Sequence, residues 1–140
     1  MNNNFYIESS VDDEFDYSKT RVELVAKNDE NEQIGYLSFL AQDKKIWLLY
    51  LKTEEQFQHR GVATALVQQM EEYAKNNHVK EIEGRYMPSN KFAKPFYNKM
   101  GYIIYQDGYE WFLSKTIDYC KSNEQQIEVH QDCVREKDEL

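Results

Sequence analysis

The spacing of the apolar residues changes at Gly61, and that change decides what this chain can build. Ahead of it, Val22, Leu24 and Ala26 alternate with Arg21, Glu23 and Lys27, the two-residue period of a strand with one buried face. Past a polar hairpin loop at 28–32, residues 34–40 form a second strand, and residues 46–53 form a third that is apolar from Ile46 to Leu51. Beyond Gly61 the period becomes helical. Ala63, Leu66, Val67, Met70 and Ala74 fall on one face of a helix over 61–77, with Gln68, Glu71, Glu72 and Lys75 opposite. A strand at 81–87 follows, then a second helix introduced by Pro88-Ser89-Asn90, with Pro95 accommodated in its first turn and Gly101 as its stop. Residues 102–105 and 110–114 read as a closing hairpin around Gln106-Asp107-Gly108. Signals before Thr20 are weak. Residues 1–4 are expected to fray, Phe5, Tyr6 and Ile7 to make at best a short edge strand, and residues 10–17 one or two helical turns. Three consecutive strands, then helix, strand, helix and two strands, predict an α/β chain of the α+β type.

A length of 140 residues suits one domain, placed at 1–116 with 117–140 as an acidic extension. Charge sets the two ends apart from the middle. Residues 1–20 carry five acids against Lys19, and residues 117–140 carry seven acids against three bases, while 21–116 hold thirteen of each sign. Acidic ends around a neutral core would repel phosphate backbones, so no nucleic-acid partner is expected, and a basic acceptor such as an amine is easier to accommodate. Cys120 and Cys133 both lie in the extension and cannot frame a disulfide core, which fits a reducing cytoplasm. The first twenty residues show no basic start followed by an apolar run, and no stretch approaches the roughly 18 apolar residues of a membrane helix. The expectation is a cytoplasmic chain with no membrane contact. Cys120, His130 and Cys133 match no standard zinc spacing, so no metal is expected.

The chemically informative segment is Gln58-His59-Arg60-Gly61-Val62-Ala63, between a strand and a long helix. The first amides of a helix point outward without intrahelical partners, and the helix dipole adds partial positive charge there. Gly61 has no Cβ and Ala63 the smallest one, so a diphosphate can approach the amides of residues 59 to 64. The plainer alternative is that Gly61 only turns the chain into its helix.

The same segment resembles the Gln/Arg-x-x-Gly-x-Gly/Ala signature of the GNAT superfamily of N-acetyltransferases. About thirty residues on, Asn90-Lys91-Phe92-Ala93-Lys94-Pro95-Phe96-Tyr97-Asn98-Lys99-Met100-Gly101-Tyr102 resembles that superfamily's Asn-x-x-Ala-x-x-Phe/Leu-Tyr-x-x-x-Gly-Phe/Tyr segment. The likeness runs from about Val22 to Leu113 and includes the strand order. It implies a mixed, mostly antiparallel splayed sheet flanked by helices, with acetyl-CoA as cosubstrate and an amine-bearing acceptor, small molecule or protein. Gln58, His59, Arg60, Gly61, Val62 and Ala63, with Thr64 as the next amide donor, would hold the pyrophosphate of coenzyme A. Asn90 would bond the pantetheine or phosphate region, and Tyr97 would protonate the departing thiolate. The sheet should part between the strand ending near Thr53 and the strand at 81–87, with pantetheine against the backbone of Leu51, Lys52 and Thr53.

The chain departs from the family pattern in three places. Ala63 replaces the third glycine, an accepted alternative. The stretch before Gln58 is long and carries Glu54 and Glu55, which leaves the pantetheine register open between Leu51 and Thr53. Only about twenty residues precede the first strong strand, where the family usually places two helices that wall the acceptor site, so the N-terminal helical region is reduced. That acceptor site would be open, or completed by a second subunit in a homodimer. Glu83 is the first candidate for the base that deprotonates the amine and Glu54 the second, against the plainer reading of both as solvated charges. The resulting expectation is an acetyl-CoA-dependent N-acetyltransferase. The alternative is a GNAT-like fold kept as a binding or regulatory module for a basic partner.

Overall fold

A computed structural model describes residues 4–16, 18–54 and 61–117. Seven strands and two helices follow one another as β1 (Phe5–Asp16), β2 (Lys19–Asn28), β3 (Gln33–Gln42), β4 (Lys45–Thr53), α1 (Val62–Asn76), β5 (Glu81–Arg85), α2 (Ala93–Lys99), β6 (Ile103–Asp107) and β7 (Glu110–Thr116). They form a single sheet in the order β1-β2-β3-β4-β5-β7-β6. Every neighbouring pair is antiparallel except β4 and β5. That exception is the pair joined through α1, as parallel strands need a crossover long enough to return the chain to its starting edge.

Local chemistry fixes the hairpins. The Asn28 side-chain oxygen accepts the amides of Glu30 and Glu32 at 3.0 and 2.9 Å, which turns β2 into β3 with Asn31 at a φ of 65°. Asp43, at a φ of 56°, opens the two-residue turn between Gln42 and Lys45. The last hairpin turns on Gly108 and Tyr109, with Asp107 opposite Glu110 and Gly108 at a φ of 68°. That is one step later than the Gln106-Asp107-Gly108 centre expected from sequence.

The first twenty residues depart most from expectation. In place of a three-residue strand and a helical turn, β1 runs for twelve residues and pairs along most of its length with β2, from Phe5 opposite Asn28 to Asp12 opposite Arg21. Its own apolar content is too low to announce a strand. The signal comes from the partner, since Ile7 faces Ala26 and Val11 faces Val22 across the ladder, and pairing of this kind outweighs intrinsic propensity. Among the described residues no helix precedes β2.

The core lies between the sheet and α1. Val22, Leu24, Leu37, Phe39, Ile46, Leu48, Ile82 and Leu113 project from the strands to meet Val62, Leu66, Val67, Met70 and Ala74 of α1, and all of them are buried. The helix sits close because Gly35 lies beneath its first turn: a Cβ there would come within 2.6 Å of Val62 Cγ1. A polar cluster then closes the same side. The Tyr102 hydroxyl donates to Glu71 Oε2 at 2.8 Å, and Lys115 Nζ donates to Glu71 Oε1 at 3.1 Å and to the Met100 carbonyl at 2.9 Å. This ties α1, the end of α2 and β7 together. Among the described residues no helix is long and apolar enough to cross a membrane.

Candidate functional site

Two features of the backbone converge between β4 and β5. The first is a parting of strands. The two pair from Lys45 opposite Glu81 to Leu48 opposite Gly84 and no further. At that point β4 also carries a surplus residue against β3, because Phe39 faces Leu48 whereas Ser38 faces Tyr50, leaving Leu49 as a bulge. A bulge bends its strand and sharpens the local twist. Here it carries residues 49–53 away from β5 while they stay on β3. On the other side, the Tyr86 amide donates to the Trp111 carbonyl at 3.0 Å, so the chain beyond β5 follows β7. β5 therefore ends at Arg85, two residues short of the strand expected from sequence. The strands lie close at Gly84, where a Cβ would lie 3.1 Å from Leu48 Cβ and 3.2 Å from its carbonyl oxygen.

The second feature is the start of α1. Gly61 occupies the N-cap at φ 85° and ψ 4°, a left-handed conformation, with no side-chain cap and no acidic residue in the first turn. The first intrahelical bond runs from the Ala65 amide to the Gly61 carbonyl at 2.9 Å, so the amides of Val62, Ala63 and Thr64 lie ahead of the ladder. Among the described residues, a Cβ built on Gly61 would meet nothing within 4 Å. The Val62 side chain is turned into the core at 1% exposure. Gln58, His59 and Arg60 lie outside the described residues.

The remaining predicted residues are placed as follows. Leu51, Lys52 and Thr53 lie on β4 beyond the bulge, opposite Leu37, Tyr36 and Gly35. Asn90 is exposed, and its side-chain oxygen accepts the Phe92 amide at 3.0 Å, which shapes the approach to α2. Tyr97 is the buried residue of α2, in edge contact with Phe96 and Tyr102 at centroid distances of 5.1 and 5.6 Å. Burial pushes its phenol up to about 12, because a phenolate there would lack solvation. The phenol therefore stays protonated at neutral pH, as a proton donor must.

Glu83 stands in the bonded part of β5, opposite Trp47, on the face away from α1. Its carboxylate is held by Lys45 at 3.3 Å. The neighbouring Glu81 carboxyl is raised above the ordinary carboxylate range, first by burial and then by its hydrogen bond to Glu83 and the repulsion between them, with Lys45 opposing. The Glu54 amide donates to the Ile34 carbonyl at 2.9 Å, prolonging the β3–β4 ladder. Sequence reasoning missed the Leu49 bulge and the close approach at Gly84. An isolated glycine within a strand is itself a signal for such an approach.

The sequence model of the acetyltransferase (GNAT) family matches residues 3–102 of this chain. Among curated proteins, it is 34% identical over 79 residues to the uncharacterized protein YdhI of Bacillus subtilis, a match covering 56% of this chain and 48% of that protein. It is 27% identical over 77 residues to YxbD of the same organism, covering 55% and 47%. The match thus spans about half the length of these relatives. Among solved structures, the PaiA N-acetyltransferase from Thermoplasma acidophilum in complex with coenzyme A superposes with a TM-score of 0.62 at 22% identity, over 67% of this chain and 59% of that one. An acetyltransferase from Bacillus cereus superposes with a TM-score of 0.63 at 24% identity, over 75% and 79%. At such identities the likeness is one of fold.

Proposed function

This chain belongs to the acetyltransferase (GNAT) family, and we propose that it moves an acetyl group from acetyl-CoA to a primary amine by direct attack. The observation that carries this reading is the left-handed Gly61, with no described atom within 4 Å of where a Cβ would stand, at the head of a helix with no acid in its first turn. Backbone amides in that position suit a diphosphate. In this proposal the amides of Gly61, Val62, Ala63 and Thr64, together with Gln58, His59 and Arg60, hold the pyrophosphate. The pantetheine arm lies against the backbone of Leu51, Lys52 and Thr53, where β4 has left β5, and Asn90 bonds the same arm or a phosphate. Residues 1–116 make up the catalytic unit, working in the cytoplasm.

The chemistry asked of the residues is small. A neutral amine attacks the thioester carbonyl, a C–N bond forms, the C–S bond breaks, and the sulfur leaves as a thiolate that takes a proton from Tyr97. The proton shed by the amine goes to Glu83 directly or through water, once the acceptor has displaced Lys45. The acidic ends of the chain favour a cationic acceptor, either a small amine or a lysine or N-terminus of a protein.

Calorimetric titration with coenzyme A tests the binding half: saturable binding is expected, with loss in Gly61→Glu, and equal binding by both proteins would overturn the reading. Thiol release from acetyl-CoA over a panel of amines tests the catalytic half. Among the described residues the Tyr97 hydroxyl has no hydrogen-bond partner, so Tyr97→Phe should fold normally and lose about 10²-fold or more in turnover, as for removal of a general acid. Coenzyme A binding with no turnover on any amine would favour the binding-module alternative, which the absence of a helix before β2 among the described residues also favours.

A further inference from the structure

The end of the sheet away from the parted strands carries a cavity of about 600 Å³. Four lysines, Lys19, Lys44, Lys45 and Lys80, surround it, with Leu40 and Trp47 supplying apolar wall and, among the described lining residues, Asp43 and Glu81 opposing the charge. Lys45 is engaged by Glu83 at 3.3 Å and Glu81 at 3.9 Å. Among the described residues neither Lys44 nor Lys80 has an ion pair. Two cations on a concave, partly apolar surface call for an anionic occupant with some apolar side chains.

The chain supplies one at the rim of this cavity. Ile117 is buried at 6% exposure, and its amide donates to the Lys80 carbonyl at 2.9 Å, while the Lys80 amide donates to the Lys44 carbonyl at 2.7 Å. The chain therefore leaves Ile117 beside Lys80 and Lys44. Its remaining residues, 118–140, carry seven acids against Lys121, Arg135 and Lys137, with Tyr119, Ile127, Val129 and Val134 spaced among them. At about 3.3 Å per extended residue, a few residues reach across the cavity, and tethering gives the segment a high effective concentration there.

We propose that residues 118–140 fold back onto this lysine-lined cavity, with their carboxylates on Lys44 and Lys80 and their apolar side chains on Leu40 and Trp47. The occupant is the chain's own acidic extension. It would cover part of the sheet face that carries no helix among the described residues, at the end remote from residues 49–53.

Cys120 and Cys133 are the two cysteines of the chain, so Cys120→Ser leaves one thiol in the extension for a nitroxide. With the label at Cys133 of the full chain, the amide NMR signals of Lys44, Lys45, Trp47 and Lys80 should lose most of their intensity. The signals of Lys45 and Trp47 should recover in Lys44→Glu/Lys80→Glu, and all four in about 1 M salt, where screening extends over only ~3 Å. Absent or unselective broadening would overturn the proposal, as would broadening that survives both the charge reversal and the salt. A mixture of isotope-labelled, nitroxide-free protein with nitroxide-labelled, isotope-free protein should show no broadening. If it does, the occupant is a second copy and the proposal falls.

Discussion

The two faces of the sheet use the same kinds of side chain in opposite ways. On the face beneath α1, a lysine and a glutamate, Lys115 and Glu71, pair at 27% and 13% exposure and share their site with a tyrosine hydroxyl and a main-chain carbonyl. The opposite face carries Lys27 with Glu8, Arg21 with Glu23, and Arg85 with Glu110, the last at 61% and 52% exposure. Tyrosines divide likewise: Tyr97 and Tyr102 are in the core, while Tyr36, Tyr50 and Tyr105 stand in rows on the other face. The covered face holds the fold. The opposite face carries no helix among the described residues, and there Lys27–Glu8 and Arg85–Glu110 bridge neighbouring strands while Arg21–Glu23 lies within one.

If that division is right, truncation at the heart of the covered face should cost most. Leu66→Ala removes a fully buried side chain from the core face of the crossover helix and should destabilise by about 2–5 kcal/mol, measured by urea denaturation. Glu71→Ala should come next. It takes the acceptor from Lys115 and from the Tyr102 hydroxyl together, and an expected loss of about 1–3 kcal/mol follows from leaving buried donors unsatisfied. A loss no greater than for the exposed pairs would break the comparison. On the other face, Lys27→Ala, whose partner Glu8 is 54% exposed, should change stability by about 0–1 kcal/mol and less as salt is added.

Alkali sharpens the same contrast. Burial raises the phenols of Tyr97, to about 12, and of Tyr102, where the nearby Glu71 carboxylate pushes the same way. In the unfolded chain both ionise near 10, so from that pH upward the unfolded state releases protons that the folded state retains. Stability should hold below pH 10 and fall as pH rises through 10 towards 12. Tyr97→Phe should soften the fall, read as melting temperature against pH.

Strands β2 to β4, the crossover helix and the closing hairpin were legible because each carries its period in its own residues: Val22, Leu24 and Ala26 for one, Leu66, Val67 and Met70 for another. β1 was not. Residues such as Glu8, Ser9, Ser10 and Asp12 become a strand only when Leu24 and its neighbours are already in place to pair with them, information held some fifteen residues away. At the candidate site, Gly61 was legible because a glycine entering a helical run has few uses. The bulge at Leu49 was not, since a leucine among leucines gives no hint that it is the one left over.

That surplus leucine has a consequence for how the gap can be lost. The divergence of β4 from β5 depends on the number of backbone units between Leu48 and Tyr50, not on what any side chain does there. Exchanging the half-exposed Leu49 for another residue should leave the opening intact. Removing it altogether would let the strand run straight and zip shut along its neighbour, so the vulnerability of this site lies in deletion rather than substitution.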